Sequence, residues 1–357
     1  MTVRAIRRRE LARTGAGELL GVLDPVGAAA AISDAADLAL RGALRIARHD
    51  VRAELGLAAY PTRMLIVAMG RLGGRELGYG SDADVMFVHD PVDGADGELA
   101  TRFATMTATR LRELLGAVGP EPHLPVDADL RPEGRQGPLV RTLASYAEYY
   151  GRWSSVWEAQ ALLRARPLAG EAASDASNEL ASGFTALVDP LRYPAGGLSP
   201  GDVREVRRIK ARVEAERLPR GVDPARHLKL GRGGASDVEW TAQLLQLQHA
   251  HAVPGLRTTG TVAALTAATQ AGLLADDDAR ALLDAWTLAS RLRSAVVLWS
   301  GRVTGAQTDV LPHAHRDLTG IARLLGDAGT GAELEELYLR TARRARAVME
   351  SVFYGTD

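Results

Sequence analysis

The 357-residue sequence predicts an α+β protein, a small mixed-sheet domain followed by an all-helical bundle. Three observations predict it. Two short apolar runs, Met64–Met69 (MLIVAM) and Val85–Val88 (VMFV), have the length and composition of buried strands. Leu99–Gly116 (LATRFATMTATRLRELLG) places its apolar residues at helical spacing and ends on a glycine. From Thr142 onward the pattern is helical, interrupted only by short breaks.

The elements follow in order. Asp34–His49 has helical spacing with Ser33 available as an N-cap, and Pro61 separates it from the first strand. A glycine-rich segment joins that strand to the second, which Asp82 and Asp84 open. After the Leu99–Gly116 helix, the alternating stretch Leu124–Leu130 predicts a further strand running into a Pro/Gly-rich loop. Ser145–Leu168 reads as one long helix with Trp153 and Trp157 on one face, where the two indoles are expected to serve the core. The loop Arg192–Gly201 precedes the remaining helices, the last over Ala332–Val352. The expected organisation is a helical lead-in over 1–55, the sheet domain over 56–192 and the bundle over 193–357.

Composition narrows the function. The chain is 46% hydrophobic and 24% charged with a formal net charge of −1, so no global field draws it to nucleic acid or an anionic membrane. Cysteine is absent, which removes disulfides and thiolate chemistry and fits a reducing, cytoplasmic setting. The basic N-terminus leads into no apolar stretch, so no secretory signal is expected. Of the 43 basic residues only Lys210 and Lys229 are lysines.

The chemistry concentrates between Gly70 and Asp129. Asp82 and Asp84 are spaced i, i+2, so on a strand both point to one face. Two carboxylates side by side repel unless a cation neutralises them. Gly70, Gly73, Gly74, Gly78 and Gly80 precede them at intervals that fit neither G-x-G-x-x-G nor a Walker A loop. Their backbone N–H groups can approach phosphates closely, and an anion cradle beside two carboxylates suits a magnesium–triphosphate. A second pair, Asp127 and Asp129, has the same spacing on the later strand. Beside the first pair it would bring together enough carboxylates for two Mg²⁺ ions.

Gly70-x-Leu72-Gly73 followed by Ser81-Asp82-x-Asp84 resembles the nucleotidyltransferases of the polymerase-β type. More closely, GRLGGRELGYGSDADVMF, VDADLRPEGRQGPLV, WEAQALLRARPLAG and KLGRGGASDVEW together resemble the glutamine synthetase adenylyltransferase family over nearly the whole chain. The resemblance implies a polymerase-β-like nucleotidyltransferase domain over 56–192. It also implies ATP as substrate, Mg²⁺ as cofactor, glutamine synthetase as protein substrate and a PII-type nitrogen-signalling protein as a further partner. Asp82, Asp84 and Asp127 become the metal-binding and catalytic carboxylates. Gly70, Arg71, Gly73, Gly80 and Ser81 become the phosphate-holding residues, with Lys229 joining the nucleotide site. Relatives of this family carry two such halves, one adding AMP and one removing it. The tail VMESVFYGTD resembles the natural C-terminus and points to the adding half, so the chain is expected to be a fragment of a longer bifunctional protein.

Two positions depart from the pattern. Arg71 stands where the superfamily has serine, and Asp129 where many relatives have a basic residue. Lys229, Asp237 and Glu239 match a family motif at a helix start, and they equally suit an internal ion pair. His249 and His251, one residue apart on a predicted helix, diverge and make a poor metal pair. Rival activities are phosphorolytic removal of AMP, a non-catalytic regulatory module and a small-molecule nucleotidyltransferase.

Overall fold

The computed structural model describes residues 2–168, 175–326 and 329–355; Ala169 and Gly170 of the third motif and Thr356 and Asp357 of the tail lie outside them. The chain divides into two compact units. One comprises Met1–Arg13, Ala30–Leu77 and Asp82–Arg192; the other comprises Thr14–Ala29, Gly78–Ser81 and Tyr193–Asp357. The division passes through the first two helices, α1 (Val3–Leu19) and α2 (Pro25–Glu54).

The first unit continues with β1 (Thr62–Ala68), α3 (Gly70–Gly73), β2 (Ala83–Pro91), α4 (Gly97–Gly116) and β3 (Val126–Asp127). It closes with β4 (Val140–Thr142), α5 (Leu143–Trp153), α6 (Val156–Leu162), β5 (Arg166–Leu168) and α7 (Asp175–Arg192). β1 lies between β2 and β5, antiparallel to both, with Thr62 opposite Pro91 and Ala68 opposite Val85. The outer edge of β2 carries two parallel partners in succession, β3 and then β4. The sheet is therefore mixed, as the sequence predicts.

Alternation along β1 and β2 turns Leu65, Val67, Met86 and Val88 into one core with Tyr146 of α5 and Phe184 of α7. α4 packs on β1 and β2 through Phe103, Ala104, Ala108 and Leu111, and Asp96 caps it by accepting the Leu99 N–H at 2.8 Å.

Several sequence expectations change. Ser33 is not a cap: the helix already starts at Pro25, where proline suits the first helical position. Buried Ser33 instead accepts the Leu77 N–H at 3.2 Å. The long helix over Ser145–Leu168 is two helices and a strand, because Ser155 and Glu158 form a capping box that starts α6 afresh. Trp153 and Trp157 are 70% and 42% exposed, so they are not core residues. The strand over Leu124–Leu130 shrinks to Val126–Asp127.

The second unit is helical: α8 (Pro200–Glu216), α9 (Ala235–His249), α10 (Thr261–Gln270), α11 (Asp276–Ser300), α12 (His315–Leu324) and α13 (Gly331–Met349). A π-helical turn, Glu350–Gly355, follows. α11, α12 and α13 pack on one another and α9 on α11 and α13, burying Leu282, Trp286, Tyr338 and Phe353. His251 falls beyond the end of α9, so the two histidines do not share a helix. Among the described residues no helix is long and apolar enough to cross a membrane.

Candidate active site

The parallel ladder between β2 and β3 pairs Asp84 with Asp127. Ladder partners present their side chains on the same face, so two carboxylates stand side by side on adjacent strands. Burial sets this register. Val85–Val88 are drawn into the core, Leu124 and Val126 are buried ahead of Asp127, and the Ala83 N–H donates to Pro125 O at 2.8 Å. Both aspartates are half-buried at the ladder's end, while Asp82, just before β2, is exposed.

Asp127 also ends its strand. Its Oδ1 accepts the Asp129 N–H at 2.7 Å, a side-chain-to-backbone bond that turns the chain. Asp129 thus leaves the strand and does not share a sheet face with Asp127. Its carboxylate is taken by Arg135 Nε at 2.5 Å, with an Arg131 guanidinium nitrogen at 3.7 Å.

The turn after β1 closes on Asp84. Gly70 has φ +50°, and a Cβ there would lie 2.4 Å from Asp84 Oδ2. Only glycine lets the backbone lie against that carboxylate. The Met69 N–H donates to Asp84 O at 2.8 Å, holding the turn to β2. Gly73 is glycine for another reason: a Cβ would meet Arg164 O at 1.7 Å. Arg166 donates to Leu72 O at 2.9 Å and Gly73 O at 3.1 Å, and pairs with Asp37 at 2.8 Å. Arg164 forms a buried ion pair with Glu76 at 2.8 Å. Arg71 is half-buried on α3. Among the described residues no three Asp, Glu or His side chains are gathered tightly enough to form a cation cage.

Gly80, Ser81 and Lys229 belong to the second unit. A Cβ on Gly80 would meet Val303 O at 2.1 Å, so close backbone packing alone requires glycine there. Ser81 Oγ accepts the Gly78 N–H at 3.0 Å, and Tyr79 donates its hydroxyl to Glu18 at 2.5 Å. Burial raises the Glu18 carboxyl above the ordinary range against the opposing Tyr79 bond.

Asp237, 1% exposed, does form the internal ion pair that its motif suggested, but not with Lys229. Its partners are Lys210 Nζ at 2.5 Å, an Arg346 guanidinium nitrogen at 3.1 Å and the Gly233 N–H at 2.7 Å. Lys210 and Arg346 also both reach Glu214 at 2.9 Å. Burial works against the Glu214 charge, but these two cations more than offset it and its carboxyl titrates below the ordinary range. Glu239 and Lys229 are half-buried outside this cluster. Sequence reasoning missed Lys210, Arg346, Arg166 and Asp37 as positioning groups. The one available signal was Lys210, a lysine retained in a chain whose basic residues are otherwise almost all arginine.

A small mixed sheet with two carboxylates in register beside a glycine turn, followed by helices, is consistent with a nucleotidyltransferase domain and a helical region. The family model described as Glutamate-ammonia ligase adenylyltransferase matches residues 1–181, and the one described as GlnD PII-uridylyltransferase matches residues 206–353. Three curated relatives bear the name bifunctional glutamine synthetase adenylyltransferase/adenylyl-removing enzyme. That of Streptomyces avermitilis is 50% identical over 370 residues, covering 99% of this chain and 35% of the relative. That of Streptomyces coelicolor is 50% identical over 369 residues with the same coverage. That of Mycobacterium avium is 50% identical over 355 residues, covering 98% of this chain and 34% of the relative. The chain belongs to the glutamate-ammonia ligase adenylyltransferase family and spans about a third of the length of these relatives.

Proposed function

We propose that the chain transfers AMP from ATP to a tyrosine hydroxyl of glutamine synthetase. The observation that carries the reading is the Asp84–Asp127 ladder pair closed over by the Gly70 turn. Hard carboxylate oxygens on neighbouring strands suit Mg²⁺, and a repelling pair gains most from a cation. Asp84 and Asp127 would hold the metal, and Asp82, exposed just before β2 and not closing a three-carboxylate cage with them, is proposed as a further ligand. Mg²⁺, when bound, supplies positive charge against the triphosphate.

The remaining work falls to the chain itself. The tyrosine oxygen attacks the α-phosphorus, a new P–O bond forms, the bond from the α-phosphorus to the β-phosphate oxygen breaks, and pyrophosphate leaves. A tyrosine hydroxyl has a pKa of about 10, so a carboxylate must accept its proton as attack proceeds. The backbone N–H groups of the Gly70 turn, with Arg71, would orient the phosphates. Arg166 keeps that turn in place through Leu72 O and Gly73 O. Gly80, Ser81 and Lys229 are proposed as further phosphate contacts. The helical unit's match to a PII-uridylyltransferase description supports a role in docking the protein substrate and a PII-type regulator.

Removal of AMP by phosphorolysis is the second reading, favoured by the relatives' printed name, which carries both activities. The chain is incubated with α-labelled ATP, Mg²⁺ and glutamine synthetase, and in parallel with adenylylated synthetase and phosphate. Label incorporated in the first reaction supports transfer. Release in the second alone assigns removal, and neither activity overturns both.

A further inference from the structure

We propose that the helical unit carries a second small-molecule site, for a nucleoside phosphate, in the cavity between the C-terminal end of α11, the loop 302–310 and the start of α12. The inference is independent of the carboxylate site. The cavity measures about 590 Å³, within the roughly 300–1,000 Å³ range of ligand pockets. Its wall includes Trp299, Arg302, Gln307, Thr308, Arg316 and Asp317.

Trp299 is a fixed platform rather than a loose surface indole. A Cβ added to Gly320 would lie 2.3 Å from two of the indole carbons, so the ring lies directly on the α12 backbone. Its Nε1–H donates to Asp317 Oδ1 at 3.0 Å, which locks the ring's orientation and engages the one acidic group among the described lining residues. The indole is still 40% exposed. An aromatic face held still and left open is what a flat base stacks on, at small cost in ordering.

Among the described lining residues the guanidinium groups of Arg302 and Arg316 outnumber the carboxylate of Asp317. Arg302 and Arg316 are exposed and make no ion pair among the described residues. Arg316 also sits in the first turn of α12, where the helix dipole disfavours a cation. Two guanidinium groups beside an anchored aromatic face call for a ligand that joins a flat ring to an anionic group. A nucleoside phosphate has both, and Gln307 and Thr308 offer hydrogen bonds to its base or sugar.

The test uses the whole chain in EDTA, so that a site dependent on a divalent cation is silent. ADP is titrated against tryptophan fluorescence excited at its red edge, with adenosine and pyrophosphate as separate probes. Saturable quenching is expected with ADP, and at least about tenfold weaker binding for adenosine or pyrophosphate alone, since each lacks one half of the recognition. Trp299→Phe should remove the quench. The exposed pair R302S/R316S, which leaves Gly320 and the packing untouched, should weaken ADP at least about tenfold. Asp84→Asn should bind ADP as the parent does. Absence of saturable quenching up to about 10 mM, quenching that survives Trp299→Phe, equal binding by adenosine, or indifference to the arginine pair each overturns the proposal.

Discussion

Asp237 and Asp127 are both motif aspartates, and the two units treat them in opposite ways. Asp237 is fully buried, and Lys210, Arg346 and the Gly233 N–H answer its charge, joining α8, α9 and α13. Asp127 is half-buried, and its ladder partner is another carboxylate, Asp84. A carboxylate ringed by cations is finished as a piece of architecture. Two carboxylates in register repel one another to the extent that no other group answers their charge. The cations around Asp237 separate it from the pair proposed to bind the metal, although all three sit at element starts or ends in glycine-flanked motifs.

Breaking the cationic side should give the largest effect. Lys210→Ala leaves Asp237 buried with Arg346 and one backbone donor, and is expected to cost about 3 kcal/mol, the lower end for removing one partner of a buried pair. Amide hydrogen exchange in α8, α9 and α13 reads it, with the first unit unaffected. Unchanged protection would mean that the cluster is not what joins these helices.

Next is Asp84→Asn. Transfer should fall at least about a hundredfold, the order seen when one charge contact to a transition state is lost, while stability holds or rises. Asp127→Asn should match it. Near-normal transfer by either variant would mean that the ladder pair is not the reactive centre.

His89, on the same strand, gives a pH test of burial that outweighs a neighbouring charge, that of Asp90. It is buried in β2 with Thr62 Oγ 3.1 Å from its Nδ1, and burial holds its pKa below the ordinary value. The folded state therefore keeps it neutral while the unfolded chain takes up a proton near pH 6.5. Stability of the first unit should be flat above about pH 7.5 and fall as pH drops through about 6.5. It should level off once the folded state protonates too. His89→Gln should flatten that slope in a urea titration followed across pH.

The smallest effect is expected at Asp129. Its partner Arg135 is exposed, so solvent screens the pair and it contributes little. Asp129→Asn should change stability little and alter transfer only a few-fold, by shifting the Mg²⁺ concentration needed. A dead Asp129→Asn beside an active Asp127→Asn would move the third carboxylate.

What the sequence made legible follows physical scale. β1, β2 and α4 were readable because each is a long apolar pattern whose burial dominates its energetics. Gly70 and the i, i+2 aspartates were readable as a unit, but the reason for Gly70 was not, since its contact with Asp84 forms only when the strands pair. The strand at Asp127 was overextended because alternation continues to Leu130, while one hydrogen bond from Asp127 Oδ1 turns the chain. The break before α6 was in fact written locally, as Ser155 followed by Glu158, and the longer apolar periodicity hid it. Lys210 and Asp237 lie 27 positions apart, and no local pattern joins them.

The central claim, that Asp84 and Asp127 are held in mutual repulsion for a cation, is tested most directly by a double-mutant cycle. Asp84→Asn, Asp127→Asn and the double variant are compared with the parent by amide exchange at β2 and β3, without and with saturating Mg²⁺. Without the cation each single variant is expected to protect the ladder better, by about 0.2–1 kcal/mol, with the second substitution adding less than the first. With it, the parent should gain protection while the variants gain little. If instead both substitutions weaken the ladder and Mg²⁺ acts alike on all four proteins, the carboxylates stabilise the fold and the cation site is elsewhere.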